Sequence, residues 1–230
     1  CNFSITLEDD QAPTVICPDD ITVASDEDDC GTIVTGIQAS IDENCGVEEI
    51  RYQLSQDFVV IGSGFNNASG EFFGTGTTSV TYNVEDVGNN FGVCQFNVTV
   101  VDSTAPVVVC PGDQVIVVDI GDTFGIADDI DPAMTSDNCE VVDTTYVLSG
   151  ATTGTGMGSA SGEAFNLGTT DVAYIVFDEA GNSDTCFFQV TVVDLQGPDL
   201  LCPNDTVVFA LADSCGAFVG DLGLTVLTDI

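Results

Sequence analysis

The chain has 230 residues, with 38 acidic side chains against a single basic one, Arg51, no histidine and a formal net charge of -37. One cation cannot neutralise phosphates or gain from counterion release, which excludes nucleic acid and anionic membrane surfaces as partners. Without His or Lys there is no Ser-His or Cys-His relay and no Schiff-base amine, so an enzyme is not expected, while 44% hydrophobic residues supply apolar surface that an acidic disordered tail lacks.

The chain opens Cys1-Asn2-Phe3-Ser4 with no basic n-region, so any export signal is expected to have been removed or to lie outside this stretch. No run approaches the roughly 20 apolar residues of a spanning helix. Cys1-Asn2-Phe3-Ser4-Ile5-Thr6-Leu7 matches Cys94-Gln95-Phe96-Asn97-Val98-Thr99-Val100, which predicts that residues 1–9 are the last strand of a preceding repeat. Cys-Pro then occurs at Cys17, Cys110 and Cys202, at steps of 93 and 92 residues. Asp9, Asp102 and Asp194 each precede a proline by four, and Tyr82/Tyr174, Asp86/Asp178 and Cys94/Cys186 are each 92 apart. Two full repeats follow, 10–102 and 103–194, with the first part of a further repeat over 195–230.

Within each repeat the elements read as strands. Val80-Thr81-Tyr82-Asn83-Val84 and Phe96-Asn97-Val98-Thr99-Val100 alternate apolar with polar, the period of a strand with one buried face. Gly62-Ser63-Gly64 and Gly154-Thr155-Gly156 lie between strands, and no window shows helical periodicity. The fold class expected is all-β, as tandem immunoglobulin-like β-sandwich repeats of about 92 residues, without the tryptophan of an antibody-type domain. Tyr82 and Tyr174 either form a corner of the sandwich or pack in its core.

So many uncompensated carboxylates repel one another, and divalent cations offset that repulsion. Calcium takes oxygen ligands of the kinds this chain offers. The best-placed candidates are Asp86 with Asn89 and Asp178 with Asn182, in turns before the last strand of each repeat, together with Asp102 and Asp194 where repeats meet. Asp9, Asp10, Asp42 and Asp137 are weaker candidates. The alternative is that Asp-x-x-Gly-Asn is only a turn, since Asp and Asn bond their own backbone and Gly takes positive φ. Asp26-Glu27-Asp28-Asp29 and Asp128-Asp129 read as solvated loops. Asn2, Asn67, Asn97 and Asn204 fit Asn-x-Ser/Thr glycan acceptors, and Ser103, Thr144 and Thr206 follow Asp in a possible O-glycan pattern.

Together these landmarks resemble the hyalin repeat, or HYR domain, family. Its pattern of Asp-x-x-x-Pro-x-x-x-Cys-Pro, Asp-Asn-Cys-Gly, Gly-x-Thr, Tyr-x-x-x-Asp-x-x-Gly-Asn and a closing Cys-x-Phe-x-Val-x-Val-x-Asp is followed in the second repeat by Asp102, Pro106, Cys110-Pro111, Asp137-Asn138-Cys139, Gly168-Thr169-Thr170, Tyr174, Asp178, Gly181-Asn182 and Cys186 through Asp194, with Glu140 where Gly is usual after Cys139. The first repeat departs with Glu43 before Asn44-Cys45 and with the turn read as Asp86-Val87-Gly88-Asn89. The resemblance implies extracellular immunoglobulin-like modules strung in tandem, with roles in adhesion or support. Acidity and the lack of lysine suggest the bacterial group of the family, in particular aquatic Bacteroidota.

Ten cysteines with no Cys-x-x-Cys and no histidine do not look like a zinc site, and a disulfide framework in an extracellular setting explains them better. In the family the first and last cysteines commonly occur without the middle two. That implies Cys17 with Cys94 and Cys110 with Cys186, and by subtraction Cys30 with Cys45 across a short loop. Cys1, Cys202 and Cys215 are expected to find partners outside this stretch, and Cys139 is left either as a buried free thiol or as a site of intermolecular bonding. The function expected is a stalk or fibre segment of a long extracellular protein, calcium-stabilised, its partners being neighbouring repeats and other copies in a filament. The alternative is a glycan-binding module, using Gly-rich loops with Phe65, Phe72 and Phe73, or an enzyme-accessory module.

Overall fold

Alternation sets the two longest strands of each repeat, and the rest of the sandwich is assembled around them. The computed structural model describes residues 1–119, 121–197, 199–201, 205, 207–210, 212, 219 and 225–228. Nine strands cover the first repeat: β1 (Thr14–Ile16), β2 (Ile21–Ala24), β3 (Gly31–Val34), β4 (Ser40–Asp42), β5 (Val47–Gln56), β6 (Val59–Phe65), β7 (Glu71–Gly74), β8 (Gly76–Asp86) and β9 (Phe91–Val101). Nine more follow in the same order: β10 (Val107–Val109), β11 (Gln114–Val118), β12 (Phe124–Ile126), β13 (Met134–Ser136), β14 (Val141–Gly150), β15 (Gly154–Met157), β16 (Ala164–Asn166), β17 (Gly168–Asp178) and β18 (Ser183–Asp194). A last pair, β19 (Asp199–Leu201) and β20 (Thr225–Thr228), is antiparallel. No helix occurs among the described residues.

The chain divides into two compact units. One comprises Cys1–Pro106 with Ser136–Val142 and Phe177–Ser183, and the other comprises Val107–Thr135, Asp143–Val176 and Asp184–Ile230. In the first, a five-stranded sheet runs β2-β9-β8-β5-β6, accompanied by the pairs β1-β4 and β3-β7. β8 pairs antiparallel with both β5 and β9, whereas β2 joins β9 parallel, with Ile21 beside Val98. Parallel pairing requires the chain to cross from one layer to the other between those strands. Val80 and Tyr82 of β8, Phe96, Val98 and Val100 of β9, and Tyr52 and Leu54 of β5 meet Val34 of β3 and Phe73 of β7, so the core lies between two layers of a β-sandwich. The second set of strands repeats the arrangement as β11-β18-β17-β14-β15 with β10-β13 and β12-β16, and again its first strand is parallel to its last. Tyr146, Leu148, Phe165, Val172, Tyr174, Phe188, Val190 and Val192 are its buried counterparts.

Tyr82 and Tyr174 do more than fill space. The buried Tyr82 hydroxyl donates to the Ile37 carbonyl at 2.9 Å and accepts from the Ala68 N–H at 2.9 Å, pinning two loops of the sandwich at once. Tyr174 does the same with the Ile130 carbonyl at 2.7 Å and the Ala160 N–H at 3.0 Å. Both readings of these tyrosines, corner and core, therefore hold together. Tyr82→Phe keeps the ring and strands both backbone groups, so thermal or urea unfolding should show a loss of about 1–3 kcal/mol; an unchanged midpoint would mean that water reaches both groups.

The glycines of β6 and β15 also have a packing reason. Tyr52 stands opposite Gly64 and Tyr146 opposite Gly156, and a Cβ on either glycine would collide with the facing ring. Each ring lies over a bare backbone and ends in a carboxylate: Tyr52 donates to Glu71 at 2.6 Å and Tyr146 to Glu163 at 2.8 Å. Hydrogen bonding to Glu71, then burial, pushes the Tyr52 phenol up to about 12, and Glu163 raises Tyr146 in the same way.

Candidate metal centre

β8 presents Thr78, Val80, Tyr82, Val84 and Asp86 inward, and β17 presents Thr170, Val172, Tyr174, Val176 and Asp178. Asp86 and Asp178 thus end the core-facing row as buried carboxylates, and each is satisfied by the turn that follows it. Asp86 Oδ1 accepts from the N–H of Gly88 at 2.7 Å and of Asn90 at 2.9 Å, while Oδ2 accepts from Asn90 Nδ2 at 3.0 Å. Asp178 accepts from the Asn182 N–H and Nδ2, both at 2.7 Å. Burial pushes the Asp86 carboxyl up, but the backbone and side chain of Asn90 and the Gly88 N–H outweigh it and hold the group below its ordinary value. These carboxylates act as staples for the turn.

Asn89 is exposed at φ 64°, the left-handed place that Gly181 fills at φ 91° in the second repeat. Asn90, not Asn89, therefore stands where Asn182 does, and it lies one 92-residue step before it. The amide of each asparagine also reaches the segment that precedes its repeat, Asn90 donating to the Asp9 carbonyl at 3.2 Å and Asn182 to the Asp102 carbonyl at 3.3 Å; residues 1–9 form no strand in the structure.

A different set of oxygens lacks donors. Asp102 is 8% exposed; its Oδ1 accepts from Ser25 Oγ at 3.2 Å and the Thr104 N–H at 3.0 Å, but its buried Oδ2 has no partner. Asp137 Oδ2 accepts from the Cys139 N–H at 3.0 Å, and its buried Oδ1 has none. Asn138 Oδ1 is likewise buried and unpartnered. Asn138 Nδ2 faces four oxygens, Ser25 Oγ, the carbonyls of Asp26 and Asp29, and Asp102 Oδ1, at 3.1–3.4 Å. An amide has two hydrogens, so it cannot serve all four fully. A carboxylate oxygen from each of Asp102 and Asp137 and the Cys139 sulfur lie within 4.8 Å of one another. The acidic run Asp26–Asp29, read from sequence as a solvated loop, contributes backbone carbonyls here rather than carboxylates.

The first repeat has a partly matching arrangement. Asp9, Glu43 and Asp86 bring carboxylate oxygens within 4.8 Å, and Asp9 Oδ2 is a buried atom without a partner. Glu43 accepts from the Cys45 N–H at 2.9 Å as Asp137 does from Cys139. A hydrogen bond to Asp9 is the largest of the effects that raise the pKa of the exposed Cys45 thiol. Asp194 only closes its own turn, accepting from the Gln196 N–H at 2.8 Å, and Asp10 and Asp42 are exposed. Asn138, missed from sequence, sits between the motif residues Asp137 and Cys139; its acceptors Ser25, Asp26 and Asp29 are more than 100 residues away.

Cys17 bonds Cys94 and Cys110 bonds Cys186, with Cα atoms 5.7 and 5.6 Å apart. Cys30 bonds Cys139, at a Cα separation of 4.5 Å, in place of the expected Cys45. The reason is geometric. Cys30 lies beside Thr75, near the strand end at Val101, whereas Cys45 is tied to Glu43, which lies with Asp9 and Asp86 near the strand start at Phe91. The 11 residues of β9 separate them by roughly 30 Å, far beyond a disulfide's reach of about 7 Å. Cys139 is accordingly not a free thiol, while Cys1 and Cys45 are free among the described residues. Cys202 and Cys215 lie outside the described residues, as do Asn204 and Thr206.

Phe73 and its counterpart Phe165 are buried in the core, which removes Phe73 from any ligand platform. Phe65 and Phe72 are exposed, with the Arg51 guanidinium 5.7 Å above the Phe65 ring. Of the sequence acceptors, Asn2, Asn67 and Ser103 are exposed, Thr144 is half-buried, and the Asn97 amide is tied to Asp20.

Residues 101–192 match the HYR domain. Hyalin of Strongylocentrotus purpuratus is 29% identical over 220 residues, covering 90% of this chain and 16% of that protein. Hyalin of Lytechinus variegatus is 32% identical over 146 residues, covering 61% of this chain and 25% of that protein. The chain thus spans a quarter or less of these curated relatives. Both relatives are from sea urchins, so the expectation of a bacterial source gains no support from them. Among solved structures, the fibronectin(III)-like modules of Clostridium thermocellum CbhA align over 80% of this chain and 97% of theirs, at 13% identity and a TM-score of 0.33. Drosophila N-cadherin EC1-4 aligns over 80% of this chain and 50% of its own, at 15% identity and a TM-score of 0.36.

Proposed function

We propose that this HYR-type chain is a structural segment of a long extracellular repeat protein, supporting adhesion or filament formation, with calcium held at Asp102, Asp137 and Asn138. The carrying observation is that these three neighbouring residues each keep a buried oxygen without a donor, in a chain of net charge -37. Buried polar atoms without partners are rare and costly, and a cation removes the cost. The donors fit a hard ion: carboxylate and amide oxygens, with Ser25 Oγ and the carbonyls of Asp26 and Asp29 close by, are calcium ligands. The Cys139 sulfur is bonded to Cys30 and so is not a thiolate, which disfavours zinc. When bound, the ion supplies the positive charge that the protein lacks there. The second cluster, Asp9 and Glu43, is a weaker site of the same kind, since Asp86 is already occupied by Asn90.

Three disulfides among the described residues support an oxidising, extracellular setting, and the missing histidine and lysine support a non-enzymatic role. Neighbouring repeats of the same polypeptide are the first partners, and other copies in a filament the next. Titration calorimetry of the 230-residue chain with calcium should show at least one saturable site, lost or weakened at least tenfold in Asp102→Asn. No heat at micromolar protein and millimolar calcium, in wild type and variant alike, would overturn the calcium reading.

A further inference from the structure

Cys45 and Cys139 occupy equivalent places. Each follows an asparagine, and each donates its N–H to an acid two residues earlier, Glu43 or Asp137, that is clustered with the aspartate preceding its repeat, Asp9 or Asp102. One is bonded and the other is free and exposed. The cysteine that bonds Cys139 comes from the sequence repeat before it: Cys30, thirteen residues after Cys17-Pro18, in the turn Asp26–Gly31. The second repeat has Thr123 at that place, and Cys215 stands thirteen residues after Cys202-Pro203. Sequence repeats thus differ in whether they carry a donor of the Cys30 kind, and the bond seen here runs forward along the chain.

We propose that Cys45 is the receiving half of a disulfide from an earlier repeat of the same polypeptide, whose turn presents a cysteine thirteen residues after its Cys-Pro as Cys30 does to Cys139. The Cys30 turn carries Asp26, Glu27, Asp28 and Asp29, and the receiving cluster carries Asp9, Glu43 and Asp86, so charge alone would drive such surfaces apart. A covalent bond holds them regardless of salt. It forms by exchange: a carrier disulfide of the thiol–disulfide oxidoreductase class first makes a mixed disulfide with the donor cysteine. The Cys45 thiolate then attacks the donor sulfur, the protein S–S bond forms and the carrier's thiolate leaves. In net terms two thiols lose two protons and two electrons, which the carrier's disulfide takes up. This inference requires an oxidising compartment but no cation, so it stands or falls apart from the calcium reading.

The test is a peptide map of the full-length protein under non-reducing conditions, with alkylation of free thiols beforehand. The expected result is a Cys45 peptide cross-linked to a peptide from an earlier repeat at the Cys30 place, with Cys30–Cys139 alongside it. In Cys45→Ser that donor cysteine should become alkylated while Cys139 stays protected. Alkylated Cys45 in the wild type, a bond from Cys45 to Cys1 or to a Cys17-type cysteine, or a bond to a second chain would each overturn it.

Discussion

Replacing Cys17 and Cys94 together by alanine should lower the unfolding free energy of the first compact unit by about 4 kcal/mol, because the bond closes a loop with a sequence separation of 77. Most of that comes from the unfolded chain, which regains the freedom the cross-link removed. Domains of this size are stable by about 5–15 kcal/mol in all, so the variant should sit near the edge of folding at 37 °C. Urea unfolding with tyrosine fluorescence measures it, and the Cys110/Cys186 pair, at a separation of 76, should cost the second unit a similar amount. A loss under 1 kcal/mol in both would show that the unfolded ensemble is compact without the bonds.

Calcium removal has the next largest expected effect. With carboxylate oxygens of Asp102 and Asp137 within 4.8 Å, two charges repel by about 3 kcal/mol at an effective dielectric of 20. No protein cation relieves this, since the sole arginine, Arg51, is paired with Glu49 at 2.7 Å. Chelation should therefore lower the melting temperature of the first unit while leaving that of the second nearly unchanged. Asp102→Asn should cross over with calcium: more stable than wild type in chelator, less stable in millimolar calcium. Parallel shifts of both proteins under both conditions would place the effect elsewhere.

Much of this architecture was legible from spacing. The 92-residue step located both copies of the inward rows of β8 and β9, because a strand that must bury Val80, Tyr82 and Val84 has to keep its period through Asp86. The pairing of β2 with β9 was not legible, since four residues of alternation do not say which strand they join or in which direction. Asn90 was misread as Asn89 because the turn places its left-handed residue fourth, and asparagine fills that place as readily as the glycine of the second repeat. Cys30–Cys45 failed for a similar reason: closeness in sequence said nothing of the length of β9 lying between them. The setting of Asn138 forms only once it meets Ser25, Asp26 and Asp29, more than 100 residues away, and Asp137 meets Asp102 only in the fold.

The most direct test of the cation reading is a crystal structure of the 230-residue chain grown in millimolar calcium, with anomalous data to identify the ion. The account predicts an ion bound by Asp102, Asp137 and the Asn138 side-chain oxygen. Well-ordered density showing the Asn138 amide nitrogen still facing Ser25, Asp26, Asp29 and Asp102, with no ion bound there, would contradict it.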